Sequence, residues 1–160
     1  MKMFVLVLFA IFAMTIVAVL ALGANQYKSL VERDNNAYNK RIITSYVSAQ
    51  IRGYDRADAV KVGGFASPDV DDEVNTLHLL ETIDGIRYDL KIYYYQGKVY
   101  ELFAAEESEM KPEDGVAIMD AKDLHFEKKG SLIRITSKDS EGRENETTVS
   151  MRSEESGVAL

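Results

Sequence analysis

The chain has 160 residues, a formal net charge of −7 and no cysteine. The absence of cysteine excludes disulfide bonds, thiolate metal sites and a thiol nucleophile, and the acidic balance argues against a nucleic-acid partner, which needs clustered positive charge. The length suffices for one apolar N-terminal segment followed by one small domain.

An apolar run extends from Met3 to Ala24, and Thr15 is the only side chain in it with a strong polar group. As a helix with a rise of about 1.5 Å per residue, this run spans roughly 33 Å, slightly more than the ~30 Å hydrocarbon core of a bilayer. A secretory signal has a shorter apolar region of roughly 7–15 residues. Residues 1–24 are therefore predicted to form a retained transmembrane anchor in the lipid bilayer, in preference to a cleaved signal peptide.

The charges beside the run indicate its orientation. Lys2 lies on the N-terminal side, and only two residues precede the run. Both features favour an N-terminus in the cytoplasm. The sequence thus predicts a single-pass protein of the cell membrane whose C-terminal domain is extracytoplasmic.

Residues 25–53 are predicted to continue the same helix as a spine. No proline occurs before Pro68 and no glycine between Gly23 and Gly53, so nothing is expected to end the helix before about Arg52. The apolar stripe of this helix widens after residue 42, which is typical of a helix that covers a sheet. The residues expected to pack on the sheet are Tyr38, Ile42, Ile43, Tyr46, Val47 and Ile51.

Small residues recur on one side of the apolar run, within about 80° at 100° per residue. A stripe of small side chains lets another helix approach closely in lipid. Alanine is also common in membrane helices generally, so the stripe has two interpretations, a helix–helix assembly surface and ordinary composition. Its members are Ala10, Ala13, Val17, Ala21 and Ala24.

The second half of the chain has the pattern of an antiparallel sheet. Residues 86–94 alternate between apolar and polar side chains, as a half-buried strand does. Asp84-Gly85 and Gln96-Gly97 suit tight hairpin turns, so residues 76–82, 86–94 and 98–104 are predicted to form a three-stranded meander.

Further strands are expected after an acidic loop at 106–115. They are predicted at 124–128, 131–138 and 144–152, with one more short strand at 60–65. The sheet domain is therefore assigned to residues 54–152, and residues 153–160 to a flexible tail. The fold class is α+β, with a long N-terminal helix packed on an antiparallel β-sheet.

This plan is that of a type IV pilin, and four segments carry a closer likeness: Leu22–Tyr27, Glu32–Tyr38, Ser45–Arg52 and Tyr100–Glu106. Through them the chain resembles an uncharacterised family of type IV pilin-like membrane proteins of monoderm bacteria, over nearly its whole length to Arg152. The resemblance implies a minor pilin or pseudopilin of a type IV pilus, competence or type II secretion-like apparatus. Its implied partners are other pilin-like subunits, bound through the N-terminal helix.

The chain departs from the usual prepilin pattern at two positions. Prepilins have a glycine before the first mature residue and a glutamate as the fifth, whereas here Met3 precedes Phe4 and Leu8 occupies the fifth position. Either a leader precedes this sequence, or the subunit is atypical and lacks both features.

Catalytic and ligand-binding patterns are weak. His78 and His125 are predicted to be structural or solvent-facing, because neither has a carboxylate at metal-ligand spacing. The acidic clusters at 69–73 and 106–109 are expected to be solvated loops, and the tyrosines around Tyr93 to pack in the sheet. The sequence thus predicts no enzyme, metal, cofactor or evident small-molecule substrate. The alternative function is a singly anchored extracytoplasmic binding or sensory module.

Overall fold

The computed structural model describes residues 2–70 and 72–152, with side chains for all of these except Lys2 and residues 21–40. The chain divides into two compact units, Met1–Tyr38 and Asn39–Leu160. The predicted tail at 153–160 lies outside the described residues.

One helix, α1, runs from Lys2 to Gly53. Its apolar segment Met3–Leu20 belongs to the first unit, and none of that segment is buried. The hydroxyl of Thr15 donates a 2.6 Å hydrogen bond to the carbonyl oxygen of Ile11. The one strong polar side chain of the segment is therefore satisfied within its own helix, which suits an apolar surrounding.

The second unit contains a sheet of seven strands in the order β1-β2-β3-β4-β5-β6-β7, and all neighbours are antiparallel. An apolar N-terminal helix followed by this sheet confirms the α+β class. A short 3-10 helix, Pro112–Asp114, lies between β4 and β5. The strands are β1 (Val60–Gly63), β2 (Thr76–Ile83), β3 (Ile86–Tyr95), β4 (Lys98–Ala105), β5 (Val116–Lys129), β6 (Leu132–Asp139) and β7 (Glu144–Ser150).

The two predicted hairpin turns are confirmed. Asp84 and Gly85 have φ values of 51° and 83°, and Gln96 and Gly97 have 44° and 85°. Two successive positive φ values give the turn whose twist matches that of the flanking strands. The turns fix the register of β3 against both neighbours, with Ile83 opposite Ile86 and Tyr95 opposite Lys98.

Three predicted strand boundaries are wrong, and one of them is the end of β7, at Ser150 and not at residue 152. Strand β5 begins at Val116, not at residue 124, because its first part pairs with β4 before its second part pairs with β6. Register shifts interrupt both pairings, so the strand lacks the regular alternation that would reveal it. Strand β1 ends at Gly63, not at residue 65, because the chain there folds against Pro68, whose carbonyl oxygen would clash with a Cβ on Gly63.

The sheet curls so that the second part of β5 lies beside β1 and the residue that precedes β2. The side chain of Asn75 donates to the carbonyl oxygen of Phe126 at 3.2 Å and accepts from the amide of the same residue at 2.7 Å. Lys128 donates to the carbonyl oxygen of Val60 at 3.1 Å. The Asn75 side chain therefore takes the place of a strand partner where the sheet bends back on itself.

The core lies between the last turns of α1 and the concave side of this sheet. Ile43, Val47 and Ile51 of the helix are at most 1% exposed. Every strand contributes to the same cluster: Val60, Leu77, Leu79, Leu90, Ile92, Val99, Ala121, Leu124, Phe126, Ile133, Ile135 and Val149, with Met151 after β7.

We expect Ile51→Ala to destabilise the domain far more than Ile42→Ala. Ile51 is 0% exposed and Ile42 is 41% exposed, and an Ile→Ala change in a core costs roughly 2–5 kcal/mol through lost burial and the cavity left behind. Urea unfolding of the full-length protein in detergent micelles measures both variants. Equal losses of stability would contradict the placement of Ile51 in the core.

Candidate functional site

The first candidate site is the exposed apolar segment Met3–Leu20 of α1. Its mean hydropathy is 3.0, and its length and composition suit either a membrane anchor or a signal sequence. Phe9 is 70% exposed and Leu20 is 67% exposed. A helix surface this apolar is unfavourable in contact with water, so it needs a lipid or protein partner.

The small-residue stripe lies on this segment. Ala10, Ala13 and Val17 are exposed, and their spacing of three and four residues places them on one face of the helix. The side chains of Ala21 and Ala24 lie outside the described residues. Where side chains are described, the stripe forms a shallow surface that a second helix can approach closely.

The predicted helix–sheet residues occupy different depths. Ile43, Val47 and Ile51 are buried in the core, and Tyr46 packs against it at partial burial. Ile42 lies at the margin with 41% exposure, because its position is about 100° around the helix from Ile43. The side chain of Tyr38 lies outside the described residues.

Tyr46 also makes a polar contact between the helix and β4. Its hydroxyl donates to Glu101 Oε1 at 2.7 Å and accepts from Gln50 Nε2 at 3.1 Å. Burial and the hydrogen bond to Glu101 raise the pKa of Tyr46 to about 12. The phenol therefore stays neutral and keeps its proton for Glu101 at physiological pH.

The second candidate site is a buried polar network on the outer face of β2 and β3. His78 Nδ1 lies 2.7 Å from Asp89 Oδ2, and His78 Nε2 lies 2.8 Å from the carbonyl oxygen of Gly64. Lys91 Nζ donates to the carbonyl oxygen of Phe65 at 2.9 Å and lies 4.6 Å from the centroid of the Phe65 ring. The network joins the sheet to the loop between β1 and β2.

The geometry restricts where the protons of this network lie. A carbonyl oxygen only accepts hydrogen bonds, so Nε2 of His78 carries a proton toward Gly64. The contact between Nδ1 and Asp89 then needs a second proton between its two atoms. Lys91 Nζ is 4.0 Å from Asp89 Oδ2, so a lysine side chain lies beside the same buried carboxyl group.

The sequence did not predict this network. No carboxylate lies at metal-ligand spacing from His78 along the chain, but the structure places Asp89 against it across a strand pair. The sequence feature that could have revealed the network is the turn Asp84-Gly85, because it sets His78 opposite Lys91 and Leu80 opposite Asp89. Alternation then puts all three polar side chains on one face.

Asp72, from the acidic cluster predicted at 69–73, belongs to the loop that covers the network. Asp72 accepts hydrogen bonds from the backbone amides of Ala66 and Val74 at 3.1 and 2.9 Å. Burial raises the pKa of Asp72, but backbone hydrogen bonds from Phe65, Ala66 and Val74 and the charge of His78 outweigh it, so the pKa is lowered. Asp72 therefore caps backbone groups of its own loop.

The remaining candidates do not form a catalytic or metal site in the described parts of the chain. Tyr93 is fully buried and donates to the carbonyl oxygen of Pro112 at 2.8 Å, while Tyr88 stacks on Phe103 at 5.1 Å. His125 is half-exposed, 4.0 Å from Glu127. Among residues 2–70 and 72–152, no group of three metal-ligating side chains occurs.

Comparison with known proteins gives one family. The model of a domain of unknown function, DUF4860, matches residues 38–140. That range begins in the last part of α1 and ends just after β6. It therefore includes the buried helix residues Ile43, Val47 and Ile51 and the buried polar network. No curated protein and no solved structure matches the chain.

We expect Asp89→Asn to destabilise the domain by roughly 3–5 kcal/mol, because it removes one partner of a buried ion pair. The matched control is Asp120→Asn, since Asp120 forms a 2.8 Å pair with Lys98 and its side chain is 68% exposed. An exposed pair contributes about 0–1 kcal/mol. Urea unfolding measures both variants, and similar losses would show that the network contributes no more than a surface ion pair.

The lowered pKa of Asp72 predicts a pH-dependent contribution of this loop. A carboxyl whose pKa is depressed on folding stabilises the fold above its unfolded pKa of 3.8 and loses that contribution as the pH falls through the folded value. The wild-type protein should therefore be more stable than Asp72→Asn at neutral pH, and the difference should shrink below about pH 4. Urea unfolding at a series of pH values measures the difference, and a gap that does not change with pH would refute the prediction.

Proposed function

This chain belongs to the DUF4860 family, and we propose that it is a membrane-anchored structural subunit resembling a minor pilin or pseudopilin. In this proposal it assembles with other pilin-like subunits of a type IV pilus, competence or type II secretion-like apparatus. The N-terminus is then cytoplasmic and the sheet domain extracytoplasmic. Its role is structural and not enzymatic.

The observation that carries the proposal is the continuity of α1. One helix contains both the exposed apolar segment Met3–Leu20 and the stripe Ile43, Val47 and Ile51 that is buried in the sheet domain. A helix that served only as a tether would not need to supply part of a domain core. A subunit that assembles through its helix does need this, because the core couples the domain to the assembly surface.

The small-residue stripe supports an assembly role for the apolar segment. In lipid there is no hydrophobic gain when two apolar helices meet, so association depends on close packing. Ala10 and Ala13 offer this, whereas the opposite face carries the bulky Phe4, Leu8 and Phe12. The stripe is accordingly the face at which we place the contact between subunits.

Single cysteines on α1 test the proposal directly, since the chain has no native cysteine. We expect Ala13→Cys and Val17→Cys to form disulfide-linked oligomers in native membranes in which pilus genes are expressed, because facing helices bring these positions together. Oxidation followed by non-reducing electrophoresis measures the yield. Leu8→Cys and Phe12→Cys, on the opposite face and 59% and 63% exposed, are the matched controls and should link at least several-fold less.

Equal crosslinking at stripe and control positions, or a strictly monomeric protein, would refute assembly through this face. Exchange of residues 1–24 for an unrelated membrane span separates the two functions considered from the sequence. Assembly should be lost on exchange, whereas a binding or sensory module would keep its activity.

A further inference from the structure

Strand β7 forms one edge of the sheet, and within the described part of the chain one side of it has no strand partner. The amide of Met151 donates to the carbonyl oxygen of Ser131 at 2.8 Å, and the amide of Asp139 donates to that of Arg143 at 3.2 Å. Backbone groups alternate in direction along a strand, and the pairing of β6 with β7 is continuous. The odd-numbered residues of β7 therefore bond β6, and the N–H and C=O groups of the even-numbered residues point to the open edge. These residues are Glu144, Glu146, Thr148 and Ser150.

The opposite edge of the sheet, at β1, is engaged by other parts of the domain. The carbonyl oxygen of Val60 accepts from Lys128 of β5 at 3.1 Å, whereas no described residue bonds the edge-directed backbone groups of Glu146 and Thr148. A regular strand edge with unpaired backbone groups is a template for a further strand. The open edge of β7 is therefore suited to an extended peptide segment.

A polar cleft of about 370 Å³ lies beside this edge, between β7 and the last turns of α1. Strand β7 lines it with Asn145, Glu146 and Thr147, and the helix contributes Arg41 and Arg52. Neither arginine has a carboxylate partner among the described side chains. The cleft thus places positive charge next to a row of backbone donors and acceptors.

The acidic side chains of β7 do not cancel this charge, because each is paired with a cation of β6. Glu146 Oε1 lies 3.4 Å from Arg134 Nε, and Glu144 Oε1 lies 2.9 Å from Lys138 Nζ. Guanidinium groups bind carboxylates through paired hydrogen bonds. The edge and the cleft together favour a segment that is both extended and acidic.

The residues that follow Arg152 have this composition. They are Ser-Glu-Glu-Ser-Gly-Val-Ala-Leu at 153–160, and without a proline every one of them can donate an N–H group to a strand partner. The amide of Arg152 donates to the two carboxylate oxygens of Asp55 at 2.9 and 3.1 Å. Asp55 lies shortly after Arg52 in the chain, so the segment starts beside the cleft and on the open side of β7.

We propose that residues 153–160 of the same chain turn back beside β7 and add a further strand to the sheet, with Glu154 and Glu155 next to Arg52. At about 3.3 Å per residue the segment spans roughly 26 Å. A connection of about four residues leaves enough chain to lie opposite Ser150, Thr148 and Glu146. The added strand covers an edge that another chain could otherwise extend. This proposal does not depend on assembly through the N-terminal helix.

Hydrogen exchange of backbone amides, followed by NMR on the full-length protein in detergent micelles, tests the proposal. We expect the amides of Glu146 and Thr148 to exchange at least about tenfold faster after deletion of residues 153–160, because the deletion removes their acceptors. The amides of Thr147 and Val149 bond β6, so they are the matched controls and should not change. Equal exchange of Glu146 and Thr148 with and without the segment would overturn the proposal.

Charge variants that keep the segment test its position. The double variant Glu154→Gln, Glu155→Gln and the single variant Arg52→Gln should each raise the exchange rate of Thr148 about two- to fivefold, the effect expected of exposed ion pairs. Arg56→Gln is the matched control, since Arg56 pairs with Glu81 of β2. An exchange rate of Thr148 that is the same in all of these variants would contradict the contact with Arg52 and overturn the proposal.

A mixture of two proteins identifies which chain supplies the strand. Isotope-labelled protein without residues 153–160 is mixed with unlabelled full-length protein, and exchange is measured at the labelled Thr148. We expect no protection, since each full-length chain covers its own edge. Protection of the labelled amide would show that a second copy supplies the strand, and it would overturn the assignment to the same chain.

Discussion

The second unit depends on the burial of one apolar stripe of α1 against the inner face of the sheet. Ile43, Val47 and Ile51 contact a cluster to which all seven strands contribute, and each buried aliphatic side chain contributes roughly 1.5–3 kcal/mol. The last turns of α1 are therefore part of the domain core, and a cut at residue 53 would separate the helix from the domain and expose that core.

The two faces of the sheet are stabilised by different interactions. The inner face is mostly apolar and is covered by the helix, whose Tyr46 bonds Glu101 of β4. The outer face of β2 and β3 carries His78, Asp89 and Lys91, whose burial requires partners. The carbonyl oxygens of Gly64 and Phe65 in the loop after β1 accept from His78 and Lys91, and His78 in turn contacts Asp89. Asp72 caps the backbone of that loop. The loop is thus held by these polar contacts together with the buried ring of Phe65, which packs against Tyr93 at 4.9 Å between ring centroids.

The helix carries three surfaces that differ in what they contact. The segment Met3–Leu20 is apolar and exposed, the stripe at 43, 47 and 51 is apolar and buried, and the face with Arg41 and Arg52 is polar and open. The assembly proposal concerns the first of these surfaces.

The sequence by itself determined the elements whose signals are local. An apolar run without charges, a helix without proline and two X-Gly turns specify α1 and the β2-β3-β4 meander, because backbone preference and periodicity act over a few residues. Tertiary structure decided the rest. The early part of β5 is a strand because β4 lies beside it, Asn75 meets Phe126 because the sheet curls, and Arg52 lines a cleft because β7 runs beside α1. These contacts join residues far apart in sequence, and no local preference records them.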